Sequence, residues 1–225
     1  MKTKSPRTLV CGAVMLATFT IAAVARASVT VNDPNLPVLY PPNQYVTPAG
    51  PIFATYHGPG VTIVLSDSPL RDFGSVTRTP SAGNELESFS SQLDGQISVN
   101  GSPNAPFISG GPQQDIVFGK VGNTTGTFNT EILSLNISGS SSISGPFMIR
   151  ESPTLASTGQ TTITSIGGGL YQIDSFFDVF TELSVDGGNS WIPSDTSAHI
   201  VLTPEPSTLA LVALSGGMLV LRRRR

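Results

Sequence analysis

Four carboxylates crowd the last quarter of the chain: Asp174, Asp178, Glu182 and Asp186. Glycosidic hydrolysis needs two carboxyl groups about 5 to 10 Å apart, one to give a proton and one to attack or to activate water. Read as an extended segment, 177–186 puts Asp178, Glu182 and Asp186 on one face with Ser184. Phe177, Val179, Leu183 and Val185 fall on the other face with Thr181. That alternation favours a solvated polar face over a catalytic pair. The two histidines add little chemistry. His57 lies in Tyr56-His57-Gly58-Pro59-Gly60 and His199 in the last apolar stretch, and neither has a second histidine or a carboxylate at metal-ligand spacing. Gly-x-Ser-x-Gly elbows, phosphate-cradling glycine loops and zinc-protease helix motifs are absent. Aspartates near glycine turns offer hard oxygen ligands, but without the regular spacing of a calcium loop. No catalytic residue, metal or cofactor is expected.

The run Ser184-Val185-Asp186-Gly187-Gly188-Asn189-Ser190-Trp191 fits the Asp-box pattern of serine, any, aspartate, any, glycine, any, serine, aromatic. Its physical sense is a tight hairpin. Asp186 accepts hydrogen bonds from its own turn, Gly188 takes a positive φ, and Trp191 packs over the corner. Ser184, Asp186, Gly188 and Trp191 are therefore expected to be structural.

The elements that must position these residues are short apolar stretches between Gly, Pro, Asn and Ser: 61–65, 97–99, 115–121, 127–137, 147–150, 161–166, 170–173, 176–185 and 198–202. Leu133, Leu135 and Ile137 alternate with Ser134, Asn136 and Ser138, and no interior segment holds a helical period. The pattern predicts an all-β body, an antiparallel β-sandwich over 61–203. Seven prolines between Ser28 and Gly60 predict a lead-in with at most edge strands.

Charge and cysteine narrow the function classes. The net charge of −3 includes eight basic residues at the two ends; between Ser28 and Thr203 only Arg71, Arg78, Lys120 and Arg150 oppose 14 acidic residues, a balance near −10. Such a body does not seek nucleic acid or anionic lipid, which require clustered Lys or Arg. The single cysteine, Cys11, lies in the N-terminal apolar run, so the body has no disulfide, thiolate site or cysteine nucleophile.

The ends carry the strongest signals. Lys2, Lys4 and Arg7 precede an apolar run from Leu9 to Val24 and then Ala25-Arg26-Ala27, the three parts of a secretory signal. Cleavage is expected after Ala27, with Ser28 first in the mature chain. At the other end Pro204-Glu205-Pro206 is followed by an apolar run from Leu209 to Leu221 and by Arg222, Arg223, Arg224 and Arg225. As a helix that run reaches roughly 21 Å, short against a hydrocarbon core of about 30 Å. The arginines hold its end in the cytoplasm.

These three C-terminal parts resemble the PEP-CTERM sorting signal. The resemblance implies recognition by an exosortase, a membrane transpeptidase of Gram-negative bacteria that make exopolysaccharide, which cuts near the motif. The stretch from Phe147 to Trp191, with Ile149-Arg150-Glu151-Ser152-Pro153 and Asp174 to Glu182, is similar to a secreted PEP-CTERM family of planctomycete-type bacteria. The expectation is a signal peptide over 1–27, a lead-in over 28–60, the sandwich over 61–203 and a sorting tail over 204–225, with a signal helix and a short transmembrane helix flanking the body. Signal peptidase and exosortase are the expected processing enzymes, and the membrane is met transiently through the tail. The expected product is a non-catalytic protein of the cell envelope or extracellular matrix, with exopolysaccharide as candidate partner. The alternative is a glycan-binding or glycan-hydrolysing module using the acidic face near Trp191.

Overall fold

A computed structural model describes residues 28–39, 43–48, 50 and 52–204. Within them the chain is all strand and turn: β1 (Val29–Val31), β2 (Asn43–Val46), β3 (Ile52–Gly58), β4 (Val61–Ser66), β5 (Leu70–Ser81), β6 (Asn84–Leu93), β7 (Gly95–Val99) and β8 (Ala105–Val117). There follow β9 (Gly126–Ser141), β10 (Gly145–Glu151), β11 (Ser157–Gly167), β12 (Leu170–Val179), β13 (Thr181–Ser184), β14 (Ile192–Pro193) and β15 (Ala198–Pro204).

The predicted sandwich is not what forms. Strands β2, β5, β6, β8, β9, β11, β12 and β15 lie side by side in chain order, each antiparallel to the next, and β15 returns to pair with β2. This is a closed eight-stranded barrel. The overturning contact is the register of Val201 to Pro204 on Val46 to Asn43, which joins the last strand to a short one inside the proline-rich stretch. Two-residue alternation reads the same in a sandwich and a barrel, so periodicity does not register closure. The stretch 28–60 supplies three strands, of which β2 is paired on both edges.

At one end the chain leaves the barrel repeatedly, through β3 and β4, through β7, through β10, and through β13 and β14. These outer strands extend the sheet from the far halves of β8 and β9. A bridge between Tyr56 and Ser194 joins their free edges. Tyr56, fully buried, shares a 2.7 Å hydroxyl–hydroxyl hydrogen bond with Thr181.

The segment 177–186 crosses from barrel to outer strands. The chain breaks step at Phe180, whose N–H donates to Ser157 Oγ and whose carbonyl accepts from Ser152 N–H. Phe177, Val179 and Leu183 are buried, whereas Val185 is 41% exposed because β13 ends at Ser184. Leu135 and Ile137 are buried as their alternation predicts, but Leu133 faces outward. The cause is a bulge: Gln114 pairs with Ser134 and Asp115 with Ile132, leaving Leu133 as the extra residue.

The expected flanking helices fall outside the described residues. Among the described residues no helix is long and apolar enough to cross a membrane.

Candidate functional site

Eight strands close a barrel just wide enough for side chains to fill. One wall here is β6, whose alternate residues Glu87, Phe89, Ser91 and Leu93 are buried. On the C-terminal half of β8 the buried set is Gln113, Asp115 and Val117. Register places Glu87 directly across from Asp115. Two carboxyl groups thus face each other inside the barrel, in an aromatic surround where Tyr45 packs edge-on against Phe177 at 5.6 Å and Phe73 against Phe89 at 5.8 Å.

Little cancels their charge. The Arg78 Nε lies 3.6 Å from Glu87 Oε1 and donates at 2.8 Å to the Leu36 carbonyl. Neither Glu87 oxygen has a well-formed hydrogen bond among the described residues. Burial raises both acids. Asp115 is pushed up to about 7, against lowering contributions from Glu87 and Arg78; Glu87 is driven well above its ordinary value, first by burial and then by Asp115. The pair therefore holds protons that exposed carboxyls release. Burial likewise raises the Tyr45 phenol, which donates to Ser175 Oγ at 2.9 Å.

Leu36 and Pro37 line this interior. Between them and Tyr45, Phe73, Gln113, Asp115 and Phe177 the free space is about 20 Å3, room for one water. A sugar ring does not fit there. The pair can hold a proton beside a space the size of one water.

No protein-family model, curated protein or solved structure matches this chain.

The carboxylates singled out from the sequence are dispersed. Asp178 Oδ1 lies 2.8 Å from His199 Nδ1, Glu182 Oε2 accepts from Arg150 Nε and Nη2 at 2.8 and 2.6 Å, and Asp174 sits on β12 opposite Thr162. His57 pairs in the same way with Asp195 at 2.9 Å. No cluster of three or more metal-ligating side chains occurs among the described residues.

The hairpin forms as its sequence suggests. Ser184 Oγ donates to Asp186 Oδ1 at 2.7 Å, and Ser190 donates to Asp186 through its N–H at 2.9 Å and its hydroxyl at 2.5 Å. These bonds, those from Ser190 foremost, hold the Asp186 carboxyl down at about 2. Gly187 and Gly188 have φ of 73° and 88°, in the region that favours glycine. Trp191 Nε1 donates to the Gly188 carbonyl at 3.1 Å, and the Arg150 guanidinium covers the ring at 4.1 Å. The indole face is already occupied by the protein's own cation. Asp186→Ala is expected to lower the thermal midpoint at pH 7 and to leave that of a pH 2 sample nearly unchanged, because the carboxylate's contribution exists above its ordinary titration range and disappears as pH falls through 2. Scanning calorimetry at both pH values reads this directly.

Of the terminal residues, Ser28 accepts from Gln172 Nε2 at 2.7 Å and Pro204 pairs with Asn43. Ala25, Ala27, Glu205, Pro206 and Arg222 to Arg225 lie outside the described residues. The lumenal pair is what sequence reading missed. Its signal was phase: Glu87 shares the two-residue face of Phe89 and Leu93, so a carboxylate stood on the apolar side of its strand.

Proposed function

We propose that this chain is an exported, non-catalytic protein of the cell envelope or extracellular matrix, delivered through a PEP-CTERM-type tail to an exosortase, with exopolysaccharide as its partner. The observation that carries the non-catalytic reading is the fate of the carboxylates. Glu87 and Asp115 are buried, with Leu36 and Pro37 lining the small space beside Asp115, while Asp178, Glu182 and Asp186 are each engaged by a histidine, an arginine or their own turn. The processing reading is supported by the sequence, which places Ala25-Arg26-Ala27 ahead of Ser28, and Pro204-Glu205-Pro206 ahead of an apolar run and four arginines.

Mass spectrometry of the envelope form from the native host tests both ends. The expected species begins at Ser28 and ends upstream of Leu209, and Glu205→Ala is expected to leave the unprocessed chain in the inner membrane. Recovery of chain extending through Arg225 as the main surface species, unaffected by Glu205→Ala, would show an ordinary anchor.

A further inference from the structure

The barrel has two unlike ends. One carries the outer strands. The other is made of turns: 82–83 between β5 and β6, 118–125 between β8 and β9, and 168–169 between β11 and β12. These turns stand together, since Val121 N–H donates to the Gly83 carbonyl at 3.2 Å, Gly119 N–H to Asn84 Oδ1 at 2.9 Å, and Ile163 pairs with Gly126. The segment carrying Leu39 is tied to the same end by Lys120 Nζ, 3.3 Å from Asn35 Oδ1.

Five of the eleven exposed large apolar residues among those described lie here: Leu39, Phe118, Val121, Ile166 and Leu170, each 39–50% exposed. Within a strongly acidic body, the segments 80–84, 118–125 and 166–170 contain no carboxylate and one lysine, Lys120. The nearest carboxylate along the covering segment is Asp33, which accepts from Asn35 Nδ2 at 2.6 Å. A rim of exposed apolar residues whose turns carry no carboxylate, on an acidic protein, suits an apolar partner rather than water.

The course of the chain says which partner. β15 runs toward the turns, and its last pair with β12, Val201 opposite Phe176, lies six residues short of Leu170, β1 taking that edge of β12 beyond it. Six residues are about 20 Å at 3.3 Å per residue. Seven residues, Leu202 to Thr208, separate Val201 from the apolar run at Leu209, and extended they reach about 25 Å. That length is enough to bring the apolar run to the level of the rim.

We propose that the turn end of the barrel seats on the surface of a phospholipid bilayer, with Leu39, Phe118, Val121, Ile166 and Leu170 at the lipid interface, while the tail is attached. This rests on the reading that 209–221 enters the membrane. It adds that the barrel stands turn-end down, which holds Glu205 at the bilayer surface, where a membrane-embedded transpeptidase works.

Depth-dependent quenching tests it. The full chain is reconstituted in phosphatidylcholine vesicles carrying bromine either near the headgroup or deep in the acyl chain. Native Trp191, among the outer strands, is the built-in reference. Phe118→Trp and Leu170→Trp, each added to the native background, probe the rim, and Leu214→Trp probes the tail. Shallow bromine is expected to quench the added rim tryptophans at least twofold more than Trp191, and deep bromine to quench the tail probe. A quenched tail with rim probes no more quenched than Trp191 would overturn the seating and leave the tail reading intact. An unquenched tail together with unquenched rim probes would overturn both. A doubled mass by sedimentation in detergent with rim probes unquenched in vesicles would instead assign the rim to a second copy and also overturn the proposal.

Discussion

Between pH 4 and pH 7 the folded body is expected to lose stability as pH rises, the reverse of acid denaturation, and Asp115→Asn is expected to remove the part of that loss that Asp115 contributes. The sign follows from proton counts. Unfolded, Asp115 titrates near 3.8; folded, burial holds it at about 7, with Glu87 also raised. Over that window the native state keeps protons that the unfolded chain has released, so stability is full below the unfolded value and falls as pH climbs through the folded one. At about 1.36 kcal/mol per pH unit per proton, Asp115 alone accounts for up to roughly 4 kcal/mol. Asp186 acts oppositely, but only at the acid edge, so the stability maximum falls near pH 4 to 5. The choice of variant matters. Asp115→Asn leaves one carboxylate, Glu87, beside one guanidinium, Arg78, and is expected to exceed the parent at pH 8 by about 1 to 4 kcal/mol. Glu87→Gln strips Arg78 of its partner and is expected to gain less. Urea unfolding of the three proteins at pH 5, 7 and 8 decides: a parent curve that is flat or rises over this range would refute the charged lumen.

Alternation made most strands legible, because it reports local burial. Leu135, Ile137, Phe177, Val179 and Leu183 all lie inside as their spacing implies. What alternation does not report is which long-range partner a strand takes. Closure depends on β2 meeting β15 across more than 150 residues, and the step at Phe180 redirects a strand between two layers without disturbing its apolar pattern up to Leu183. The bulge at Leu133 inverts one residue's face for a reason that lies on the partner strand. The site follows the same logic. The hairpin at 184–191 is encoded within eight residues and was readable. The pairing of Glu87 with Asp115 joins residues 28 apart, and treating carboxylates as solvent-facing by default hid it. Conversely, Asp178, Glu182 and Asp186 looked like a cluster because they were near in sequence, and folding gave each a different partner.

The second large effect is expected at Gly111, where the two longest strands cross from barrel to outer layer. Between Gly110 and Gln113 on β8 the ladder pairs with β9 lapse without a change of register, and Pro112 in the same stretch offers no N–H for a ladder bond. The turn-free bend at this corner depends on the backbones approaching closely. A Cβ at Gly111 would lie well inside van der Waals contact with the Asn136 carbonyl oxygen, 2.9 Å from its carbon and 3.1 Å from the Ile137 Cα. All three obstacles are backbone, so no rotamer change relieves them, and β8 and β9 must move apart. Those strands are shared by the barrel and the outer layer, and both would lose packing around Leu135 and Ile137. Gly111→Ala is accordingly expected to cost about 3 kcal/mol or more, enough to remove much of the folded yield of a marginally stable domain. Gly74→Ala is the matched control: its Cβ meets only Ser90 Oγ at 3.4 Å, an ordinary contact, and its cost is expected below about 1 kcal/mol. Comparing the urea midpoints of the two variants at pH 5, where the lumenal acids hold their protons, separates crowding at the corner from charge in the lumen. Equal midpoints would mean that β8 and β9 do not approach this closely, and that the corner is made by some other contact.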